Sequence, residues 1–213
     1  MSKKRRNILL AFIIPALLFY VVFWISPVLM SFYYGLTNWR GMGDFDIVGM
    51  KNYANLIKQG TLFNSMGNTI KYTLFVVIWG NIQALALAMI LNMKLKARGV
   101  FRTIFYIPAL FSTIVVAFLW SYVYAPHYGM ISEIFNLFGS SNAPNLLGSK
   151  ATSLFAAAFV ETWKTSGTMT IIYLAGLQNI SEEVIESAKI DGCNGWQAIR
   201  YVKIPMLANT ITV

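Results

Sequence analysis

Charge is scarce in this sequence, and acid is scarcer than base. Only 12% of the 213 residues are charged while 57% are hydrophobic, and the mean hydropathy is +0.58, a balance outside the range of soluble domains. The eight carboxylates form no convergent group: Asp44, Asp46 and Glu133 are scattered, as is His127, so the catalytic cluster that a membrane enzyme acting on lipid or glycan needs is missing. A lone histidine in a loop is not a metal site. The single cysteine, Cys193, excludes an internal disulfide and a multi-cysteine metal centre, and reads as a small residue in a turn. There is also no G-x-x-x-x-G-K-[ST] loop or comparable glycine-rich phosphate cradle. The chain therefore has no cofactor or ATP site of its own, and no enzymatic activity is expected of it. The net charge of +9 does not point to nucleic acid, because the basic residues gather in no aromatic-interleaved groove. They sit in short clusters beside apolar runs, as membrane topology requires.

Those apolar runs are what the sequence has in abundance. After Lys3, Lys4, Arg5 and Arg6, no charge appears until Arg40. The apolar part far exceeds the roughly 7–15 residues of a signal-peptide core and shows no clear small-residue cleavage site. It reads as an uncleaved first span over residues 8–32, with Pro15 and Pro27 as kink or end points; a cleaved signal is the alternative. Residues 36–71 are rich in Gly and Asn and read as an external segment, with YANLIKQG as a short helix on the membrane surface. The second span, residues 72–93, holds no charge across twenty-two residues, enough to cross a hydrocarbon core of about 30 Å. A third span is expected over 103–124, with Pro108 one turn inside it, and a fourth over 151–177.

Two polar pairs and two glycines stand out within these spans. Asn81 and Gln83 lie inside the second and need partners that lipid cannot supply; interhelical hydrogen bonding and contact with a transported solute both remain open. Glu161 and Lys164 are the only charges within the fourth span. Their spacing of three lets them pair on one helical face and offset a burial cost of about 2.5–3.5 kcal/mol per charge, or else each snorkels to the outer interface beside Trp163. Gly167 and Gly176 permit close helix packing or bending.

Alternate loops differ in basic residues. One set carries Lys3, Lys4, Arg5, Arg6, Lys94, Lys96, Arg98, Arg102, Lys189, Arg200 and Lys203, eleven in all; the other carries Arg40, Lys51, Lys58, Lys71 and Lys150, five. The positive-inside rule puts the N-terminus and the loop at 181–205 in the cytoplasm of a multi-pass plasma-membrane protein.

That loop, SEEVIESAKIDGCNGWQAIRYVKIP, is a polar two-helix segment behind an apolar run. Ser181 can cap a first helix with Glu182 and Glu183 in its first turn, and Asp191-Gly192 reads as stop and turn. Trp196, Ile199 and Val202 then recur at three-residue spacing on a second short helix. Pro205 suits the first turn of whatever follows.

Glu186-Ser187-Ala188, three residues, Gly192, nine residues and Val202-Lys203-Ile204-Pro205 resemble the EAA loop, E-A-A-x3-G-x9-I-x-L-P, of the membrane subunits of binding-protein-dependent ABC importers. Ser187, Val202 and Ile204 depart from it by small or apolar swaps. LAGLQNISEEVIESAKIDGCNGWQ, and the phrase running from Thr37-Asn38-Trp39 through Val48-Gly49 and Asn52-Tyr53 to Asn68-Thr69, resemble the sugar-permease branch.

The resemblance implies an all-α, polytopic transmembrane helix bundle, a single domain over 1–213 with a cytoplasmic two-helix coupling loop. It further implies the N-terminal part of a six-span permease lacking about two spans, since MLANTITV is too short to cross a bilayer. By the same resemblance the loop docks on a separate ABC ATPase subunit that binds the ATP. Glu186, Ser187, Ala188, Asp191, Gly192 and Pro205 are expected at that contact, with Trp196, Ile199 and Val202 packing the second helix. The other implied partners are a second permease subunit, an extracytoplasmic solute-binding protein, a sugar and the lipid bilayer, with no nucleic acid. Asn81, Gln83, Glu161 and Lys164 are the candidates for a substrate pathway. Three alternatives remain: a permease for a peptide, amino acid or phosphate; a membrane enzyme; a scaffold that only recruits a partner.

Overall fold

In hydrocarbon every backbone N–H and C=O must be bonded within the protein, and the computed structural model meets that demand with helices. It describes residues 3–93, 96–140 and 143–211; Lys94, one of the basic loop residues, and the end of MLANTITV lie outside them. The chain divides into two units, Met1–Gly67 and Asn68–Val213.

In the first unit, α1 (Lys3–Tyr20), a π-helical segment (Val21–Ile25) and α2 (Ser26–Gly35) form one continuous helical run. Neither Pro15 nor Pro27 ends it, contrary to expectation. A proline ring collides with the carbonyl four residues before it, which for Pro27 belongs to Phe23, the middle of the π segment. The wider π turn absorbs the collision, and Ser26 N–H bonds Val21 O five residues back.

A hairpin follows, closed by a single antiparallel bridge between Thr37 and Ile47. Asn38 N–H donates to Asp46 O at 3.1 Å, and Asp46 N–H donates to the Asn38 side chain at 2.8 Å. Asn52, on α3 (Lys51–Lys58), donates to Gly35 O at 2.9 Å and to Thr37 O at 2.8 Å. Trp39 stacks on Tyr34 with ring centroids 4.3 Å apart. Thr37, Asn38, Trp39 and Asn52 of the sugar-permease phrase thus fasten this hairpin.

Helix α4 spans Thr61–Asn92, starting well before residue 72. Leu62, Phe63, Met66, Ile70 and Leu74 keep a three-to-four residue period through the Asn and Gly positions, and that period outweighs their turn composition. The expected straight span over 103–124 is instead α5 (Arg98–Leu110) and α6 (Thr113–Val123), bent by 100°. Phe111 and Ser112 are extended, and Ser112 Oγ accepts from Val115 N–H at 3.3 Å, so a new helix is capped where the old one stops. Pro108 lies in the last turn of α5 rather than the first of a span.

After α7 (Met130–Leu137), α8 occupies Ser153–Gln178. By length and composition Ala11–Gly35 and Thr61–Asn92 can each cross a membrane, and the bent α5–α6 pair makes a third if taken as one span. Helix α8 has the length but is diluted by Glu161, Lys164 and a run of Thr and Ser. Thr162, Ser166 and Thr170 are turned inward and buried.

Helix α8 is the centre of the second unit. Ala84 and Ala88 of α4 are fully buried, in a cluster with Tyr173, Leu174 and Leu177. On another side Gly167 lies against the α5 backbone: a Cβ there would sit 2.8 Å from Tyr106 Cα and closer still to Phe105 O. Gly167→Val forces apart two backbones and is expected to cost roughly 1–3 kcal/mol, read as a lower Tm and folded yield in detergent. Gly80→Ala, whose Cβ meets Thr162 Cγ2 at an ordinary 3.6 Å, serves as the tolerated control. A Gly167→Val protein as stable as wild type contradicts this packing.

Candidate functional site

Three residues separate the end of α8 from α9 (Glu182–Ile190): Asn179 caps α8, Ile180 is buried in the α4–α8 cluster, and Ser181 is extended. Ser181 stands at the N-cap position, but its side chain makes no capping bond. Glu182 and Glu183 fill the first turn as expected, Ile185 packs on the cluster, and Ala188 is buried beside it at 9% exposure.

The turn forms where Asp191-Gly192 predicts it. Gly192 has φ +84°, a conformation that costs a residue with a Cβ. Around it Gly192 N–H bonds Lys189 O and Cys193 N–H bonds Ala188 O at 2.9 Å, the paired closure of a Schellman motif. Asn194 then caps α10 (Gly195–Ala198) through a reciprocal box: its side chain accepts from Gln197 N–H at 2.9 Å, and Gln197 Oε1 accepts from Asn194 N–H at 2.8 Å. Asn-x-x-Gln was visible in the sequence as a helix start, and was passed over in favour of the apolar stripe.

Helix α10 continues through a π segment (Ile199–Lys203) into α11 (Ile204–Met206), and α12 (Ala208–Ile211) ends the described chain. The device at Pro27 recurs here. Pro205 would collide with Tyr201 O, and the π turn lets Ile204 N–H reach Ile199 O instead. Leu207, 1% exposed, pins the end of the element into the α4–α8 cluster.

The elbow therefore has an inner and an outer face. Ala188 and Ala198 are buried, Ile199 and Val202 half-buried, whereas Glu186, Ser187, Asp191, Gly192 and Pro205 are exposed. Two expectations change. Ala188 packs inward and is not on the outer face. Trp196 is 68% exposed and does not pack the second helix, because Ala198 occupies the inward position beside it. Ile190 at 86% and Tyr201 at 66% join Trp196 on the outer face, and the Arg200 guanidinium lies 5.8 Å from the Tyr201 ring. The sequence reading omitted Ile190 and Tyr201, since neither belongs to the three-residue stripe.

The four candidates for a pathway do not converge. Asn81 is bonded inside the bundle: Nδ2 donates to Val77 O at 2.6 Å, and Oδ1 accepts from Tyr173 O–H. A cavity of about 110 Å³ beside it, lined by Asn81, Ile82, Leu85, Tyr173 and Ile211, includes none of the other three. Lys164 donates to Thr113 Oγ1 at 2.7 Å, tying α8 to the start of α6, and forms no ion pair with Glu161. The hydroxyl at the α6 start satisfies the ammonium instead. Gln83 Oε1 is buried without a partner among the described residues.

An all-helical bundle with a glycine-turned elbow at its end is matched by the family model for the binding-protein-dependent transport system inner membrane component, over residues 61–213. The chain belongs to this family. It is 30% identical over 202 residues to the probable starch degradation products transport system permease protein AmyD of Thermoanaerobacterium thermosulfurigenes, covering 95% of this chain and 68% of that one. It is 33% identical over 202 residues to the trehalose/maltose transport system permease protein MalF of Thermococcus litoralis, covering 94% and 68%. In solved structures, the fold matches a chain of a bacterial alginate ABC transporter in complex with an alginate pentasaccharide-bound periplasmic protein, with TM-score 0.80, 23% identity, and 99% and 70% of the two chains covered. The expected fold class, an all-α transporter bundle, is borne out, and this family member is a membrane permease component.

Removing the Asn194 cap costs about 1 kcal/mol of local helix stability. Asn194→Ala is expected to speed amide exchange over residues 195–203 while leaving 182–190 unchanged. Equal exchange in both proteins would show that the cap does not hold the second half of the elbow.

Proposed function

We propose that this permease component is the membrane-spanning subunit of an ABC importer that carries a sugar, with the elbow at 181–205 as its grip on a separate ATPase. The observation that carries the reading is the outer face of the elbow. Ile190, Trp196 and Tyr201 stand exposed beside Glu186, Asp191 and a Gly192 with no side chain. Apolar anchors ringed by charge, with backbone accessible at a glycine, suit burial in the groove of a protein partner.

The eleven-to-five division of basic residues supports a cytoplasmic position for this face and the N-terminus, where ATP is. Two ATPases closing on each other rock this subunit and a second permease subunit between outward- and inward-facing states, while an extracytoplasmic binding protein delivers the solute. Relatives named for starch products, trehalose/maltose and multiple sugars support a sugar as that solute. ATP hydrolysis belongs to the partner, and this subunit supplies the path.

Gly192→Asp places a Cβ and a charge at φ +84°, and Glu186→Lys reverses an exposed charge. Both are expected to uncouple ATP hydrolysis from uptake while leaving membrane insertion intact, and wild-type uptake by both variants counts against the elbow as the grip. Cys193 is half-exposed in the turn and is the only thiol. An impermeant maleimide is expected to label it in inside-out vesicles and not in intact cells; labelling from outside overturns the orientation.

A further inference from the structure

Both halves of the elbow hang from the end of α8, and at that end the structure makes one long-range polar link. The side-chain amide of Gln178 faces two guanidinium groups of α5, which can only donate, so its oxygen is assigned to that side; so oriented, it accepts from Arg98 Nη2 at 2.5 Å and from Arg102 Nη2 at 3.0 Å. Arg98 and Arg102 are four residues apart on α5, hence on one face, and Gln178 is the last residue of α8.

Two features set this link apart from an ordinary surface contact. First, the Nε atoms of both arginines are buried and without partners, and among the described residues neither guanidinium meets a carboxylate. Two like charges half-withdrawn from water on a single neutral acceptor are costly. Second, one carbonyl takes both forks, so the start of α5 is fixed to the last residue before the elbow. The tight backbone contact at Gly167 lies about 16 Å back along α8, and about 5–12 Å further along α5, where it meets Phe105 and Tyr106. With two fixed points, α5 and α8 cannot pivot on each other.

We infer that Arg98, Arg102 and Gln178 form a clamp that carries movement of the elbow into α5, and through its 100° bend toward α6. They are positioning residues for transport: they touch neither solute nor ATPase, and act through the helices they join. The inference rests on the elbow being driven by an ATPase.

Reconstituted importer, with its ATPase and binding protein, measures solute taken up per ATP hydrolysed. Gln178→Leu and the double variant Arg98→Met/Arg102→Met are expected to keep hydrolysis near the wild-type rate and to lower the uptake-to-hydrolysis ratio about fivefold or more, the scale of a lost coupling between sites. Gln178→Asn, polar but one methylene short, is expected to lose coupling in the same way, and covers the case in which Gln178→Leu fails to fold. Gln178→Glu is the discriminating variant. The wild-type bonds are already charge-assisted from the arginine side, and a carboxylate between the two guanidinium groups adds ion pairing to them, so the ratio is expected to match or exceed wild type.

Wild-type ratios in Gln178→Leu and Gln178→Asn overturn the clamp and leave the proposed function standing. Loss of coupling in Gln178→Glu equal to that in Gln178→Asn also overturns it, because the arginines then serve an acid from another subunit. A wild-type importer that takes up nothing with ATP overturns the proposed function, and the clamp with it.

Discussion

Inside a bilayer, apolar surface has no water to escape, so helices associate only where their backbones come close enough for dispersion and a few hydrogen bonds to act. In the second unit that condition is met around α8. Gly167 admits the α5 backbone, while Ala84, Ala88 and Gly80 of α4 offer a shallow face to Thr162, Thr170 and Tyr173. The polar groups drawn into this packing are bonded there: Thr170 Oγ1 donates to Ala84 O at 3.4 Å and Tyr173 O–H to Asn81. The composition that makes α8 a poor membrane span is therefore what makes it the centre of the unit. Its outward positions, such as Ile171 and Ile172, remain apolar and exposed.

Proline has different consequences along this chain. Helix α1 runs on through Pro15 with no π turn, and at Pro27 and Pro205 a π turn precedes the ring and the helix again continues. At Pro108 no π turn forms, and the helix ends two residues later in an extended pair that re-caps as α6. The serine at position 112 distinguishes the outcomes, because its side chain supplies the acceptor that a restarted helix needs.

Local, periodic features were legible in the sequence. The helical class, a short helix expected at 53–60 and found at 51–58, and the stop at Asp191-Gly192 follow from residue spacing and turn chemistry, and the EAA-like spacing pointed to the family. The break at residues 111–112 was not legible, because an apolar run reads the same whether straight or bent and Ser112 is an unremarkable member of it. The early start of α4 was hidden by Asn and Gly counted as breakers. Within the elbow, burial could not be read from a three-residue stripe of large apolar side chains, because the small Ala198 takes the inward position: Trp196 came out exposed and Ala198 buried. The links of Lys164 to Thr113 and of Arg98 and Arg102 to Gln178 join residues more than fifty positions apart, and no sequence signal announces such pairs.

A glycine at positive φ between two helices is usually taken for a hinge, and a hinge would be a poor handle, since motion applied to it would be lost in bending. The bonding around Gly192 argues for the opposite. The N–H groups of Asp191, Gly192 and Cys193 are all bonded back into α9, and Asn194 is locked by both bonds of its capping box. The turn thus has four consecutive bonded N–H groups and no slack residue. On one side of it Ile185 and Ala188 seat α9 against the bundle, and on the other Leu207 seats the second half. A load on Ile190, Trp196 or Tyr201 is then resisted by two separate footings in the core rather than by one. Glycine is needed because the path of the backbone demands φ +84°, and the missing side chain leaves the surface of a rigid knuckle bare there.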